Sequence, residues 1–427
     1  MKIKLPPEWG AEPVPKDVKV LGFLDYFVLW SSLGVGLLVL LAGSLLEGLS
    51  FFEVLFVSII GSIIGSVMLA LPGVIGSRYG VPTMVSLRPV LGIRASYLPT
   101  ALNIVQLIGW TAFELMIMAK AATLLTSNVL GPTSYVFWVL FFGVWCMMLA
   151  LGGPLVVVRK WLERVAIWLV YGSTIWITYH VFTSGDFWSW VFQSGGGSTS
   201  LLHALDLVIV MPISWWPLIS DFNRFAKRPK SAFIGTVAGY TVSNTWFYVL
   251  GAALIMLLGI RDIVASIAAL FFGGVALVLI LVDETDNCFA DIYSSAVSFQ
   301  NIFPKTRQWK FIVLVTGIGI ALAMSVPLAE YEGFLLMIGA LFVPLLGVVS
   351  AEFFVNRSRH SVALEEFYEK AKTVRLDNML AWFLGIAVYA VIARFMPDLG
   401  ASLPSFAASF AFSVLIGRLT KQGKLIR

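Results

Sequence analysis

Apolar stretches of about 20 residues follow one another along nearly the whole chain, each long enough as a helix to cross a hydrocarbon layer of roughly 30 Å. They fall at about 23–46, 51–76, 95–125, 133–152, 160–183, 200–221, 231–258, 264–299, 309–327, 332–353, 377–396 and 400–417. A segment surrounded by lipid must satisfy its backbone groups internally, so these stretches have to be helices. The expected fold is an all-α membrane protein of about twelve transmembrane helices. Composition agrees: of 427 residues 59% are hydrophobic and only 12% charged, against about 25% charged in a soluble domain.

The basic residues orient the chain. With a cytoplasmic N-terminus and twelve spans, all but Lys120, Arg261 and Arg394 of the 29 Lys and Arg residues fall on one side. That asymmetry is the positive-inside rule, and it puts both termini in the cytoplasm of a multi-pass protein of the plasma (inner) membrane. The net charge of +5 is therefore topological, and no nucleic-acid partner is expected. The bilayer is the expected surrounding, and no obligate protein partner is indicated. Cys146 and Cys288 both lie inside spans and imply no disulfide framework. His180, His203 and His360 form no metal-ligand pattern. No apolar core precedes Gly22, so a cleavable signal peptide is not expected.

Two spans are interrupted. The first holds Ser31-Ser-Leu-Gly-Val-Gly36 at mid-membrane, and the sixth holds Met211-Pro-Ile-Ser-Trp-Trp-Pro217. Glycine weakens helix continuity and proline removes a donor. Either break alone could be an ordinary kink. Together they suit two five-helix halves of inverted topology, an arrangement in which transporters place substrate at the unwound segments. The expected organisation is a cytoplasmic tail over 1–22, five-helix repeats over 23–183 and 200–353, a cytoplasmic loop over 354–376, two further spans over 377–417 and a cytoplasmic tail over 418–427. The loop could hold a short surface helix, and the Gly/Ser run at 194–200 suits a flexible outer loop.

Span eight carries the strongest chemical signal. Asp283, Asn287, Asp291, Ser294 and Ser298 are spaced 4, 4, 3 and 4 and form one polar stripe on a helix, with Asp286 beside it and Glu284 further round. An ionisable group in lipid costs at least about 2.5 kcal/mol, so the stripe should face a cavity, a cation or a polar substrate. A span ending near Val282 would instead leave these acids at the cytoplasmic rim. It would also leave the largely apolar run Phe289 to Phe299 with no membrane to occupy.

Span three offers Asn103, Gln106, Trp110 and Glu114 on one face, where a flat ring could stack on Trp110 and present donors to Glu114. The alternative is a packed Trp with a polar helix contact. Asp221 and Arg224, at the inner end of span six, suggest an ion pair serving as anchor or gate. No phosphate loop, zinc motif or nucleophile elbow is present, so neither an enzyme nor ATP-driven transport by this chain alone is expected.

The Trp30 segment, Gly92-Ile-Arg-Ala-Ser-Tyr-Leu-Pro leading to Trp110, Trp215 with Asp221-Phe-Asn-Arg, and Asp286-Asn with Tyr293-Ser-Ser-Ala follow one another in order. In these landmarks the chain resembles the nucleobase:cation symporter-1 family, which includes cytosine, uracil and allantoin permeases and a benzyl-hydantoin transporter. Ser214-Trp-Trp-Pro-Leu-Ile-Ser-Asp and Asp291-Ile-Tyr-Ser-Ser-Ala-Val look most like its hydroxymethylpyrimidine branch.

The resemblance implies two inverted five-helix repeats with broken helices one and six, two extra helices and alternating access. It implies substrate contacts at Trp110, Glu114, Trp215 or Trp216, Asn287 and Asp291, completed by Gly36 and Gln106. A gapless alignment across span six gives Pro212 for the second aromatic. The implied cation positions, a possible Na⁺ site, are Ser32, Val35, Val282, Thr285 and Asp286. Where the family has amides or a hydroxyl, this chain has Glu114, Asp291 and Asp286. An ionised carboxylate only accepts hydrogen bonds, which suits a donor-rich ligand such as an aminopyrimidine. Ionising a carboxyl group in a low-dielectric site is costly, so H⁺ stands beside Na⁺ as the coupling ion. No other cofactor is implied. The expected function is import of a small planar heterocycle, a pyrimidine such as cytosine or hydroxymethylpyrimidine, by cation symport. The alternatives are amino-acid or amine transport on the same fold, or a channel or sensor.

Overall fold

The computed structural model describes residues 8–154, 167–184, 187–193, 199–259, 262–357, 363–368 and 372–425. Helices occupy all twelve expected positions. Span one is Phe23–Ser32 with Leu37–Ser44, span two Phe51–Tyr79, span three Tyr97–Leu130 and span four Tyr135–Gly152. Span five is described from Ile167 to Ser184, and span six is Leu201–Ser214 with Ile219–Asn223. Pro229–Leu258, Gly273–Ile302, Gln308–Ala323, Tyr331–Ala351, Leu376–Phe395 and Ser402–Leu425 form spans seven to twelve. Among the described residues, eight helical stretches are long and apolar enough to cross a membrane, or nine when the two halves of span one, bent by 62°, are taken as one span.

Packing sorts the helices into two groups. Spans one, two, six and seven pack on one another, and spans three, four, eight and nine do the same. Helices five places apart thus fall in the same group. Span five reaches from span eight to span seven, while span ten packs on eleven, twelve and six. Small residues permit the close approaches: a Cβ at Gly235 would lie 2.7 Å from the Phe23 carbonyl oxygen of span one. Cys146 and Cys288, remote in sequence, come close together between spans four and eight and are free thiols.

Several expectations are refined. Helix continues through Pro212 to Ser214, and the break in span six lies at 215–218, where a short 3-10 turn, Trp216–Leu218, intervenes. Pro212 ends up inside the helix because its ring packs where Gly65 of span two leaves room. The residues near 264–268 form a separate helix, Ile263–Ala268, so span eight begins at Gly273 and is continuous through the acids. The inner loop has no α-helix among its described residues. It holds a π-helical turn, Glu352–Asn356, and a 3-10 turn, Leu364–Phe367; 358–362 and 369–371 lie outside the described residues. The same is true of 194–198 in the Gly/Ser run.

Asp221 and Arg224 do not form the expected ion pair. Asp221 Oδ1 accepts the Thr83 N–H at 2.9 Å, and Arg224 Nε reaches the Asp221 backbone carbonyl at 3.3 Å instead. The guanidinium also donates to the carbonyls of Gly10 at 2.7 Å and Trp9 at 2.5 Å and to the Tyr293 hydroxyl at 3.0 Å. It therefore straps the N-terminal segment across that end of the bundle. Of the basic residues that break the inside rule, Lys120 is paired with Asp262 at 2.6 Å.

Candidate functional site

Unwinding at Leu33–Gly36 frees backbone groups at the middle of span one, and span eight supplies their partners. Ser32 Oγ donates to Asp283 Oδ1 at 2.6 Å, and Asn287 Nδ2 donates to the Val35 carbonyl at 2.9 Å. The Leu37 N–H, at the start of the second half-helix, donates to Glu284 Oε2 at 2.9 Å and Oε1 at 3.2 Å. A carboxylate is well placed there, because the first turn of a helix has unpaired N–H groups and the positive end of the dipole. Gly36 is needed where the two elements touch. Its φ is 154°, and a Cβ would sit 3.0 Å from both Asn287 Nδ2 and Glu284 Oε2.

Span three closes another side. The carboxyl groups of Glu114 and Glu284 lie within reach of each other, and Asp291 is close by. Trp110, one turn earlier, meets Tyr331 and Phe334 of span ten edge to face, with ring centroids 5.8 and 5.3 Å away. Gln106 donates to Asn103 at 2.7 Å, and Asn103 to Ser298 of span eight at 2.9 Å, which binds spans three and eight together below the site. Asp283, Glu284, Asp286, Asn287 and Asp291 are all buried, as is Glu114.

The two tryptophans of span six part company. Trp215, 8% exposed, meets Trp30 of span one at a centroid distance of 6.5 Å. Trp216 is fully buried and donates its indole N–H to the Phe342 carbonyl of span ten at 3.0 Å. Among the described residues no ring contact joins Trp110 to Trp215.

The expected cation positions do not converge. Ser32 and Val35 meet Asp283 and Asn287, whereas Val282 and Thr285 line an apolar cavity of about 350 Å³ with Ala122, Leu125, Trp138 and Leu281. The Thr285 hydroxyl donates within its own helix to the Val282 carbonyl at 2.8 Å. Asp286 lies on the flank between these faces.

Glu284 is the residue that the stripe of span eight underrates. With Asn287 and Asp291 it is spaced 3 and 4, which also makes one helical face. Two overlapping faces were present in the pattern, and only packing against span one distinguishes them.

Residues 13–417 match a family described as permease for cytosine/purines, uracil, thiamine and allantoin. The chain belongs to this permease family. It is a membrane transporter rather than an enzyme. The cytosine permease of Escherichia coli (strain K12) is 26% identical over 359 residues, spanning 81% of this chain and 80% of that one. The allantoin permease of Bacillus subtilis (strain 168) is 24% identical over 417 residues, 84% and 80% of the two chains. Among solved structures, Mhp1, a nucleobase-cation-symport-1 family transporter, in a closed conformation with bromovinylhydantoin bound, superposes with a TM-score of 0.84 over 98% of this permease and 96% of that chain at 17% identity. The inward-facing conformation of Mhp1 gives 0.79 at 18% identity. At these identities the superpositions establish the fold.

Proposed function

We propose that the permease is a secondary active importer of a planar nitrogen heterocycle, a pyrimidine such as cytosine or hydroxymethylpyrimidine, coupled to Na⁺ or H⁺ and working by alternating access. The observation that carries this reading is the convergence of Glu284 and Asn287 on the break in span one, with Glu114 near Glu284 and Asp291 and with Trp110 one helical turn before Glu114. Broken helices at mid-membrane are where such transporters hold their cargo. The heterocycle would stack on Trp110, with Trp215 as the second aromatic, Gly36 and Gln106 at its margins, and Glu114, Asn287 and Asp291 on its polar edge. The relatives named for cytosine and allantoin support a ring substrate.

The same acids speak against an amino acid. A zwitterion would set its carboxylate among carboxyl groups, and no described Lys, Arg or His interacts with Glu114, Glu284 or Asp291.

The deciding experiment is uptake into proteoliposomes of radiolabelled cytosine, uracil, hydroxymethylpyrimidine, hydantoins and amino acids, under a Na⁺ gradient, a pH gradient or neither. Concentrative uptake of one heterocycle under one gradient supports the reading and names the ion. Uptake of amino acids alone sinks it, and flux that never exceeds equilibration indicates a channel. Replacing Asp286 by Asn should weaken the ion dependence; unchanged coupling would place the ion elsewhere.

A further inference from the structure

The Glu114–Glu284 contact bears on what the ligand must be. An ionised carboxylate is acceptor-only, so two carboxyl groups share a hydrogen bond only when one of them carries a proton. Around this pair the structure presents Glu114 Oε2, Asp291 Oδ2 and Asn287 Oδ1, buried acceptors that receive no hydrogen bond from any described residue. The Asn287 amide cannot turn over to supply a donor, because its Nδ2 is engaged by the Val35 carbonyl. Glu284 is fixed in the same way by the Leu37 N–H. The ionisable groups near Glu114 and Glu284 from other elements are the Cys146 thiol of span four and the Tyr240 and Tyr331 phenols of spans seven and ten. Asp291, on span eight itself, adds another acid. None of these brings positive charge. Unpaired buried acceptors are costly, and a ligand with a carbonyl edge would add another acceptor to the set.

We propose that Glu284 is a specificity-determining residue of the substrate site, and that the site takes a planar ring carrying positive charge in an amidinium- or guanidinium-type group. Parallel N–H donors of that group bridge Glu284 and Glu114, taking over the role of the shared proton, while the remaining donors face Asp291 and Asn287. The fork of two parallel donors fits carboxylate geometry. This inference rests on the substrate-site reading above and adds the charge of the ligand and a residue that selects it.

The test uses purified full-length permease and two rings of the same shape. 2-Aminoimidazole is a guanidinium-type cation at neutral pH, and imidazol-2-one is its neutral counterpart. The cation is expected to bind at least about tenfold more tightly by calorimetry. Equal affinity, or tighter binding of the neutral ring, overturns the proposal. The Glu284→Gln variant keeps an acceptor for the Leu37 N–H, and its preference for the cation should fall by about tenfold. A preference that survives intact removes Glu284 as the selecting residue. If that variant does not fold, the wild-type comparison still decides the ligand's charge, and Glu284→Asp, which retains charge and shortens reach, tests the residue. Uptake of cytosine or uracil by a protein indifferent to ring charge would overturn this inference and leave the heterocycle reading standing. Failure to bind any planar ring, charged or neutral, would remove both.

Discussion

Glu284 of span eight receives the Leu37 N–H through both carboxylate oxygens, at 2.9 and 3.2 Å, so one side chain ties span eight to the unwound centre of span one. Three residues of span eight, Asp283, Glu284 and Asn287, are hydrogen-bonded across this seam to Ser32, Leu37 and Val35 of span one. In the alternating access proposed above, the group of spans one, two, six and seven would move against that of spans three, four, eight and nine. A seam made of polar bonds rather than interlocked apolar side chains can be remade without unpacking a core.

Gly36→Ala tests how tight that seam is. The added methyl meets Asn287 Nδ2 and Glu284 Oε2 at 3.0 Å, at a backbone φ of 154° that other residues rarely adopt. The expected cost is about 1–3 kcal/mol of stability, seen as a lower thermal transition, together with weaker ligand binding. A variant with unchanged transition and affinity would show that span one does not close on span eight as described.

Trp110 and Trp216 should behave oppositely. Trp110→Ala is expected to weaken ligand binding by about 1–3 kcal/mol, the scale of ring stacking on an aromatic side chain, while the protein still folds. Trp216 is fully enclosed and bonded to the Phe342 carbonyl, so Trp216→Ala should cost about 3–5 kcal/mol of stability. Paired thermal and binding measurements distinguish the two.

Arg224 holds the N-terminal strap by the carbonyls of Trp9 and Gly10. In Arg224→Ala the strap should open more often, since local opening follows the loss of the few bonds that hold a segment. A cysteine placed at Ala11, which is buried in the intact protein, should then react severalfold faster with a thiol reagent added to the purified protein. An unchanged labelling rate would assign the strap to other contacts.

Asp206 of span six accepts the N–H groups of Ala401 and Ser402 at 3.0 and 2.9 Å, capping span twelve. Asp206→Ala should cost about 1–2 kcal/mol, the usual value of a helix cap. Ligand affinity should be unchanged, because this acid serves the scaffold. A loss of binding without a loss of stability would contradict that assignment.

Much of this architecture is legible in the chain itself. The apolar runs, the one-sided distribution of Lys and Arg and the Gly/Pro interruptions are local properties that lipid and water act on residue by residue. The break in span six was legible only as lying within Met211–Pro217; the helix runs through Pro212, whose ring packs where Gly65 leaves room, and the break falls at 215–218. The Asp221 and Arg224 pairing was misplaced for a similar reason. Neighbours in sequence were each claimed by remote backbone, Thr83 in one case and the Trp9–Gly10 segment in the other.

The sequence by itself determined that this protein spans a membrane many times, that two of its helices are interrupted and that acids lie in the middle of span eight. Only the tertiary structure decided which acids face which partner. Helical spacing places Asp283, Glu284, Asn287 and Asp291 on overlapping faces, and the rotation of span eight about its axis is set by packing against spans one and three. That rotation joins Glu284 to Leu37 and Glu114, and sends Thr285 to the apolar cavity instead.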